Sequence, residues 1–212
     1  MRIIDNYSPG SGIATVARNR NLGVKESTSE FVSFLDDDDI WMPNKMKIQI
    51  DFLQKNPGST SISSARYVLN RVAKFKRPRR VLSKNELILM HIMENVDSFL
   101  LRITHQRAGT VVTRALAIET PFDEDLPFCE DIWWLHELQS KGSKLYQHSE
   151  ILFEVAGNPF RAASRDAGKG KEMWASRLRS INPKYESNYL QGIGFRNALL
   201  RGKIKEAVSN FR

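Results

Sequence analysis

Short runs of apolar, β-forming residues alternate along this chain with segments in which apolar residues recur at three- and four-residue steps. The runs predict strands over 30–35, 60–69, 109–113 and 144–155, the last of them as one strand or two short ones. The stepped segments predict helices after Pro43, after Ser83, over 131–139, and, as a longer amphipathic helix, over 187–211. This alternation favours an α/β fold with a mostly parallel (mixed) sheet flanked by helices.

Some details of these elements follow from single residues. Pro43 suits the first turn of a helix, where its missing N–H has no cost, and Ser83 is a good N-cap for the next helix. The charged segment 74–80 is predicted to be a loop or hairpin tip, because it carries too many cations to bury. The apolar face of the helix after Pro43 is predicted to consist of Met46, Ile48, Ile50, Phe52 and Leu53.

The charge of the chain is unevenly distributed. Its 32 Lys and Arg residues exceed its 24 Asp and Glu residues by a formal net charge of +8. Residues 1–156 hold 20 of each kind, so the whole excess lies in residues 157–212. We therefore expect an α/β core over 1–156, followed by a basic loop and a C-terminal amphipathic helix over 157–212.

Several classes of protein are excluded by composition. No window approaches about 18 consecutive apolar residues, so no membrane-spanning helix is predicted. The N-terminal residues lack the pattern of a secretory signal, and the single Cys129 excludes a disulfide framework, so we expect a cytoplasmic protein. The basic residues lack the context of a nucleic-acid-binding motif, and no nucleic-acid partner is predicted.

Four aspartates, Asp36, Asp37, Asp38 and Asp39, directly follow the predicted buried strand 30–35. Ligands of open α/β sheets bind outside the carboxyl ends of the strands. Adjacent carboxylates repel one another, and a divalent ion with oxygen ligands, Mg²⁺ or Mn²⁺, would neutralise them. In an extended chain Asp36 and Asp38 lie on one side and the other two on the opposite side. The alternative is a solvated acidic turn that places Asp39 near a helix N-terminus.

Two further elements are less specific when each is taken alone. Residues 20–23, Arg-Asn-Leu-Gly, are typical of a basic turn or a helix start. Residues 122–126, Phe-Asp-Glu-Asp-Leu, precede Glu130 and Asp131 at the start of a predicted helix. The helix dipole by itself explains carboxylates at that place. A carboxylate there can equally serve as a general base toward a hydroxyl group.

Taken together, the order and spacing of these elements resemble the family 2 glycosyltransferases, which have the GT-A fold. The resemblance covers roughly residues 13–155. It rests on an Arg-Asn-x-Gly element, a strand ending in a DxD-type cluster, a following Pro and Lys, a helix ending in Asn-Pro, and an FDExL…ED element. In this chain these are residues 20–23, 34–41, Pro43 with Lys45, Leu53–Pro57, and 122–126 with 130–131.

The resemblance implies that the enzyme moves a sugar from a nucleotide-sugar donor to an acceptor hydroxyl, usually with inversion. Asp36 would face the ribose or the nucleotide of the donor, next to Asp37. Asp38, with Asp36, would hold the divalent metal that bridges the two phosphates. Further donor-binding residues would be Arg20 and Asn21.

The base that deprotonates the acceptor would be Asp131, with Glu130 as the alternative. The acceptor implied is a glycan or a lipid-linked glycan, and the process is cell-surface polysaccharide or glycan synthesis. The basic residues after 157 would allow peripheral contact with the inner face of a membrane, where a lipid-linked acceptor would lie.

The chain departs from the family at its beginning. Family members open with a strand, a helix and a second strand that bind the nucleotide base, whereas here residues 1–6 come shortly before the Arg-Asn-x-Gly element. We therefore expect at least one βαβ unit to be absent and one sheet edge to be exposed, which a homo-oligomer would cover. The alternative function is a non-catalytic glycosyltransferase remnant that acts as an interaction module.

Overall fold

The computed structural model describes residues 16–36, 39–69, 73–94, 109–126, 129–155 and 169–200. The strands in this part of the chain are β1 Phe31–Ser33, β2 Asp39–Trp41, β3 Ser59–Leu69, β4 Ala73–Arg77, β5 Thr110–Thr113 and β6 Lys144–Val155. The helices are α1 Val16–Glu26, α2 Lys45–Lys55, α3 Ile88–Glu94, α4 Arg114–Glu119, α5 Glu130–Ser140, α6 Lys169–Ile181 and α7 Pro183–Leu200. The predicted α/β fold is confirmed.

The strands form one mixed sheet in the order β1-β5-β3-β6-β2, with β4 also paired to β3. Among the described strands only β3 and β6 pair in parallel, and the other pairs are antiparallel. The sheet is mixed as predicted, but antiparallel rather than parallel pairing predominates in the described part. One reason is the connection from β3 to β4, which spans only residues 70–72. A connection this short can join antiparallel strands only.

The sheet changes its pairing partners where β3 and β6 bulge. The register between these strands shifts at Ser63/Ser64 and again at Ser64/Ala65. Before the shifts β3 pairs with β5, and beyond them β3 pairs with β4 and β6 pairs with β2. The sequence left open one strand or two over 144–155, and the structure has one bulged strand. Beyond the bulge, the end of the acidic run, Asp39 of β2, pairs with Val155 of β6.

The main core lies between this sheet and the helices, and the C-terminal helices are part of it. Trp174 and Leu178 of α6 are fully buried in the same cluster as Trp134 and Leu138 of α5. Tyr185 and Tyr189 of α7 belong to it as well. The apolar residues of these helices therefore pack on the α/β body. The predicted division at residue 156 stays a prediction.

The C-terminal helical region is arranged differently from the prediction. The predicted helix over 187–211 is confirmed over 187–200, as part of α7, but a further helix that is not predicted from the sequence, α6, precedes it and meets α7 at Asn182. Pro183 lacks the N–H that would continue α6, and the Asn182 Oδ1 accepts from the Lys184 N–H at 3.0 Å, as an N-cap does. Residues 201–211 of the predicted helix lie outside the described residues.

Two other predictions of local structure are wrong. Segment 74–80 contains strand β4, because alternation buries Arg77 and half-buries Phe75 while Lys74 and Lys76 stay exposed. Ser83 does not cap α3, which begins five residues later. Its carbonyl instead accepts from the Glu86 N–H at 3.0 Å, which closes a turn before the helix.

Helix α2 buries a different face from the one predicted. Its buried residues are Lys45, Gln49 and Leu53, whereas the other residues of the predicted apolar face are only partly buried. The polar side chains can be buried because they are hydrogen-bonded: Gln49 Nε2 donates to the Ser61 carbonyl at 3.1 Å and to the Gly109 carbonyl at 2.8 Å.

None of the helices in the described residues combines the length and the apolar character that a bilayer span requires.

Candidate active site

Helix α1 places the first predicted element, residues 20–23, against the body of the protein. The helix buries Ala17, Arg20 and Val24 on one side, at three- and four-residue steps. Its C-terminal end is held by Arg114, which donates to the carbonyls of Val24 at 3.3 Å and Lys25 at 3.1 Å. Arg20 is therefore an arginine on the inner face of a firmly docked helix, with only 8% of its surface exposed.

Arg20 connects the acidic run to the start of α5. Its Nη1 donates to Glu130 Oε1 at 2.7 Å, and its Nη2 lies 3.7 Å from Asp36 Oδ1. Its Cζ is also 5.4 Å from the centroid of the Phe122 ring. A guanidinium is always charged and presents several donors in a rigid fork, which suits it to two carboxylates. All three predicted elements therefore meet at this side chain.

Asn21 holds the second of these elements, residues 122–126. Its Oδ1 accepts from the Phe122 N–H at 2.8 Å, and its Nδ2 donates to the Phe122 carbonyl at 2.8 Å. The same Nδ2 donates to Glu124 Oε1 at 3.0 Å. These paired bonds to the backbone N–H and C=O of one residue fix the loop that leads into α5. In this structure Asn21 therefore contacts the protein and orients the site.

The acidic turn, residues Asp36–Asp39, connects β1 to β2. The Asp39 N–H donates to the Asp36 carbonyl at 3.2 Å, a bond that a fully extended chain does not make. The prediction that the aspartates alternate in an extended chain is therefore wrong for Asp36 and Asp39, which lie at the two ends of a turn. Asp36 is partly buried, with 21% of its side chain exposed, and Asp39 is buried in β2, which also contradicts a wholly solvated turn. Asp37 and Asp38 lie outside the described residues.

The described residues contain no group of three or more His, Cys, Asp or Glu side chains placed to hold a metal ion. The predicted ligand Asp38 is not among those residues, so a divalent metal stays a prediction.

Glu130 and Asp131 occupy the first turn of α5, as predicted, but their surroundings differ. Glu130 is the partner of Arg20. Asp131 is 6% exposed, and its Oδ1 accepts from the Ile132 N–H at 2.9 Å. The helix dipole stabilises a carboxylate at either place. Cys129 precedes them in the left-handed region with φ of 56°.

Lys45 is part of the motif that carries the family resemblance, but no role in the site is predicted for it from the sequence. It is fully buried, and its Nζ donates to Ser33 Oγ at 3.0 Å and lies 4.5 Å from the centroid of the Trp41 ring. Burial lowers the pKa of Lys45 to about 7. The signal that was available is its spacing, because Lys45 lies four and eight residues before Gln49 and Leu53 on one side of α2.

Arg177 of α6 is a second such residue. It forms an ion pair with Asp123 at 2.5 Å, and its Cζ lies 5.0 Å from the centroid of the Trp133 ring. The loop over 122–126 is thus held by Asn21 from one side and by α6 from the other. Sequence spacing offered no signal for this contact, because the partners are more than fifty residues apart.

Comparison with known proteins shows a family relationship for part of the chain. The sequence profile described as Glycosyl transferase family 2 matches residues 15–115, which include the 20–23 element and the acidic turn; residues 122–131 follow the match. A relative from Escherichia coli, UDP-Glc:alpha-D-GlcNAc-diphosphoundecaprenol beta-1,3-glucosyltransferase WfgD, is 36% identical over 81 residues. That alignment covers 37% of this chain and 30% of WfgD.

Solved structures show the same fold. The crystal structure of S. aureus TarS superposes with a TM-score of 0.52 at 15% identity, over 85% of this chain and 31% of that one. Residues 1–349 of TarS in complex with UDP-GlcNAc superpose with a TM-score of 0.51 at 16% identity, over 90% of this chain and 58% of that one. The chain thus spans less than two thirds of the length of these relatives. Its residues 15–115 are related to glycosyl transferase family 2, and its described strands and helices have the GT-A fold, as the order of its motifs predicts.

Proposed function

We propose that the protein is a glycosyltransferase that moves a sugar from a nucleotide-sugar donor to an acceptor hydroxyl, with the help of a divalent metal. The observation that carries this proposal is the position of Arg20 between Asp36 and Glu130. This buried guanidinium lies close to both a carboxylate of the acidic turn and a carboxylate at the start of α5, so it brings the two elements together. Donor-binding and acceptor-activating groups must be close to each other in such an enzyme.

We propose a uridine diphosphate sugar as the donor. The relatives support this choice, since WfgD is named for UDP-Glc and TarS is solved with UDP-GlcNAc. Asp36 and Asp37 would contact the nucleotide. Arg20 and Asn21 would act on the donor side by holding Asp36 and the loop that follows α4.

We propose Asp38, together with Asp36, as the ligands of a Mg²⁺ or Mn²⁺ ion. Carboxylate oxygens are the ligands that these ions prefer. When bound, the ion would neutralise the charge of the leaving diphosphate. Arg20, whose Nη2 lies 3.7 Å from one oxygen of Asp36, would orient that carboxylate.

We propose Asp131 as the base that takes the proton of the acceptor hydroxyl. Glu130 has its Oε1 engaged by the Arg20 guanidinium at 2.7 Å, so this oxygen already accepts a hydrogen bond within the protein. Asp131 follows it in the first turn of α5, is 6% exposed and accepts the Ile132 N–H, and the resemblance of this element to the family 2 glycosyltransferases supports it as the base. The acceptor proposed is a lipid-linked glycan of polysaccharide synthesis, the class of acceptor in the name of WfgD.

Calorimetric titration with UDP, GDP and dTDP, with and without Mn²⁺, tests the donor and the metal. We expect UDP to bind, and to bind more tightly when Mn²⁺ is present. Asp38→Ala should abolish the effect of Mn²⁺. Asp51→Ala, an exposed aspartate of α2 paired with Lys47, is the matched control and should bind like the wild type. A folded protein that binds none of the three nucleotides would contradict the proposal.

The two acidic residues of α5 are distinguished by matched amide variants. Asp131→Asn should lower turnover by about 10²- to 10⁴-fold and leave the Kd for UDP nearly unchanged. Glu130→Gln should instead weaken UDP binding and stability together, because it disrupts the Arg20 pair. If Glu130→Gln abolishes turnover while Asp131→Asn does not, the roles are reversed.

A further inference from the structure

We propose that Lys45 is a positioning residue for the acidic turn: its buried side chain joins the strand that enters the turn to the strand that leaves it. The positioning role itself does not depend on the proposed function. Only the expected effect of Lys45 on donor binding rests on that function.

The first contact of Lys45 is with the end of β1. The Ser33 Oγ donates to the Thr110 carbonyl at 2.6 Å and lies 3.0 Å from Lys45 Nζ. A hydroxyl has one hydrogen, so Ser33 must accept from Lys45 through a lone pair. Lys45 is therefore fixed to β1, and through Ser33 to β5.

The second contact is with the end of β2. Lys45 Nζ lies 4.5 Å from the centroid of the Trp41 ring, within the range of a cation–π interaction. Ser33 precedes Asp36 by three residues, and Trp41 follows Asp39 by two. The Lys45 side chain therefore contacts the chain on both sides of the acidic turn. The ends of the turn cannot separate without breaking a contact of Lys45.

The contacts of Lys45 in the described residues do not offset the cost of burying its ammonium group with an ion pair. Its Nζ has a hydroxyl, an aromatic ring and, at 3.9 Å, the Met46 sulfur as neighbours, all of them neutral. No carboxylate in the described residues lies within ion-pair distance of it. Burying a charged group without an ion pair costs stability. Proteins accept such a cost mainly at functional sites, which is why we assign Lys45 a role in the site.

Hydrogen–deuterium exchange at pH 7 on the ligand-free protein tests the positioning role. In Lys45→Met we expect backbone exchange over residues 34–41 to rise by about tenfold, without a lower melting temperature. Ser33→Ala, which removes the anchor on β1 and leaves the ammonium group in place, should raise exchange in the same segment. Lys47→Met, an exposed neighbour on α2, is the matched control and should exchange like the wild type.

Unchanged exchange in Lys45→Met, or a rise spread over the whole chain with a lower melting temperature, would overturn the proposal. In the second measurement, the Kd for UDP with Mn²⁺ should rise by about tenfold in Lys45→Met and stay unchanged in Lys47→Met. Equal affinity in wild type and Lys45→Met would also overturn it. If the wild type binds no nucleotide, the proposed function fails, and the exchange measurement still decides the role of Lys45.

Discussion

At the scale of single residues, the guanidinium of Arg20 controls how the acidic groups of the site are arranged. Four carboxylates in the acidic turn and two at the start of α5 would repel one another without a cation between them. Arg20 lies between Asp36 and Glu130 and is buried on the inner face of α1. Its loss would leave a largely buried carboxylate without its partner.

We therefore expect Arg20→Ala to lower the free energy of unfolding by about 3 kcal/mol, the cost of breaking a buried ion pair from one side. Arg18→Ala, an exposed position of the same helix, should cost less than about 1 kcal/mol. Urea denaturation of the two variants measures the difference. Equal destabilisation of both variants would show that the ion pair of Arg20 with Glu130 does not contribute to the free energy of unfolding.

Lys45 makes the stability depend on pH in a predictable direction. Burial lowers its pKa from 10.5 to about 7, so between these values the unfolded chain binds more protons than the folded protein. Stability must then rise with pH over this range. Relative to Lys45→Met, the wild type should gain on the order of 3 kcal/mol in free energy of unfolding from pH 7 to pH 10. Parallel pH profiles of the two proteins, measured by urea denaturation, would contradict this.

At the scale of elements, β3 and β6 form a bulged pair, and β2 pairs with β6 beyond the bulge. The close approach of Gly109 to this bulge leaves no room for a side chain: a Cβ would lie 2.7 Å from Phe153 Cε1 and 3.0 Å from the Ser63 carbonyl oxygen. Packing at the bulge therefore requires glycine at this position.

Gly109→Ala is expected to destabilise the protein by about 1 to 3 kcal/mol, because backbone or a packed ring must move. Gly23→Ala is the control, since a Cβ there meets nothing within 4 Å and the position is in a helix. Alanine should stabilise that position by up to about 1 kcal/mol. Thermal unfolding should show a lower melting temperature for Gly109→Ala and a higher one for Gly23→Ala. Shifts of the melting temperature in the same direction would contradict the packing argument.

At the scale of the whole molecule, the C-terminal helices complete the core of the α/β body. Leu178 of α6 is fully buried in the same cluster as Trp134. Arg177 links the same helix to the loop before α5. The body and the helices should therefore unfold together.

Leu178→Ala should lower the free energy of unfolding by about 2 to 5 kcal/mol in a single transition. Leu190→Ala, on α7 with 50% of its surface exposed, should cost less than about 1 kcal/mol. Circular dichroism and tryptophan fluorescence should report the same midpoint. Two separate transitions would show that the helical region folds independently of the body.

The sequence by itself determined the strands β3 and β6, the helices α2 and α5, and the order of the motifs that indicates the family. These depend on neighbouring residues: β-forming runs, helical spacing, and terminators such as Gly58 and Gly142, both with positive φ. Only the tertiary structure decided that β1 pairs with β5, that Arg20 meets Glu130 across 110 residues, and that Lys45 rather than Met46 is buried. The physical reason is that a hydrophobic pattern specifies which residues are buried against something, whereas the partner depends on how the whole chain closes around its core.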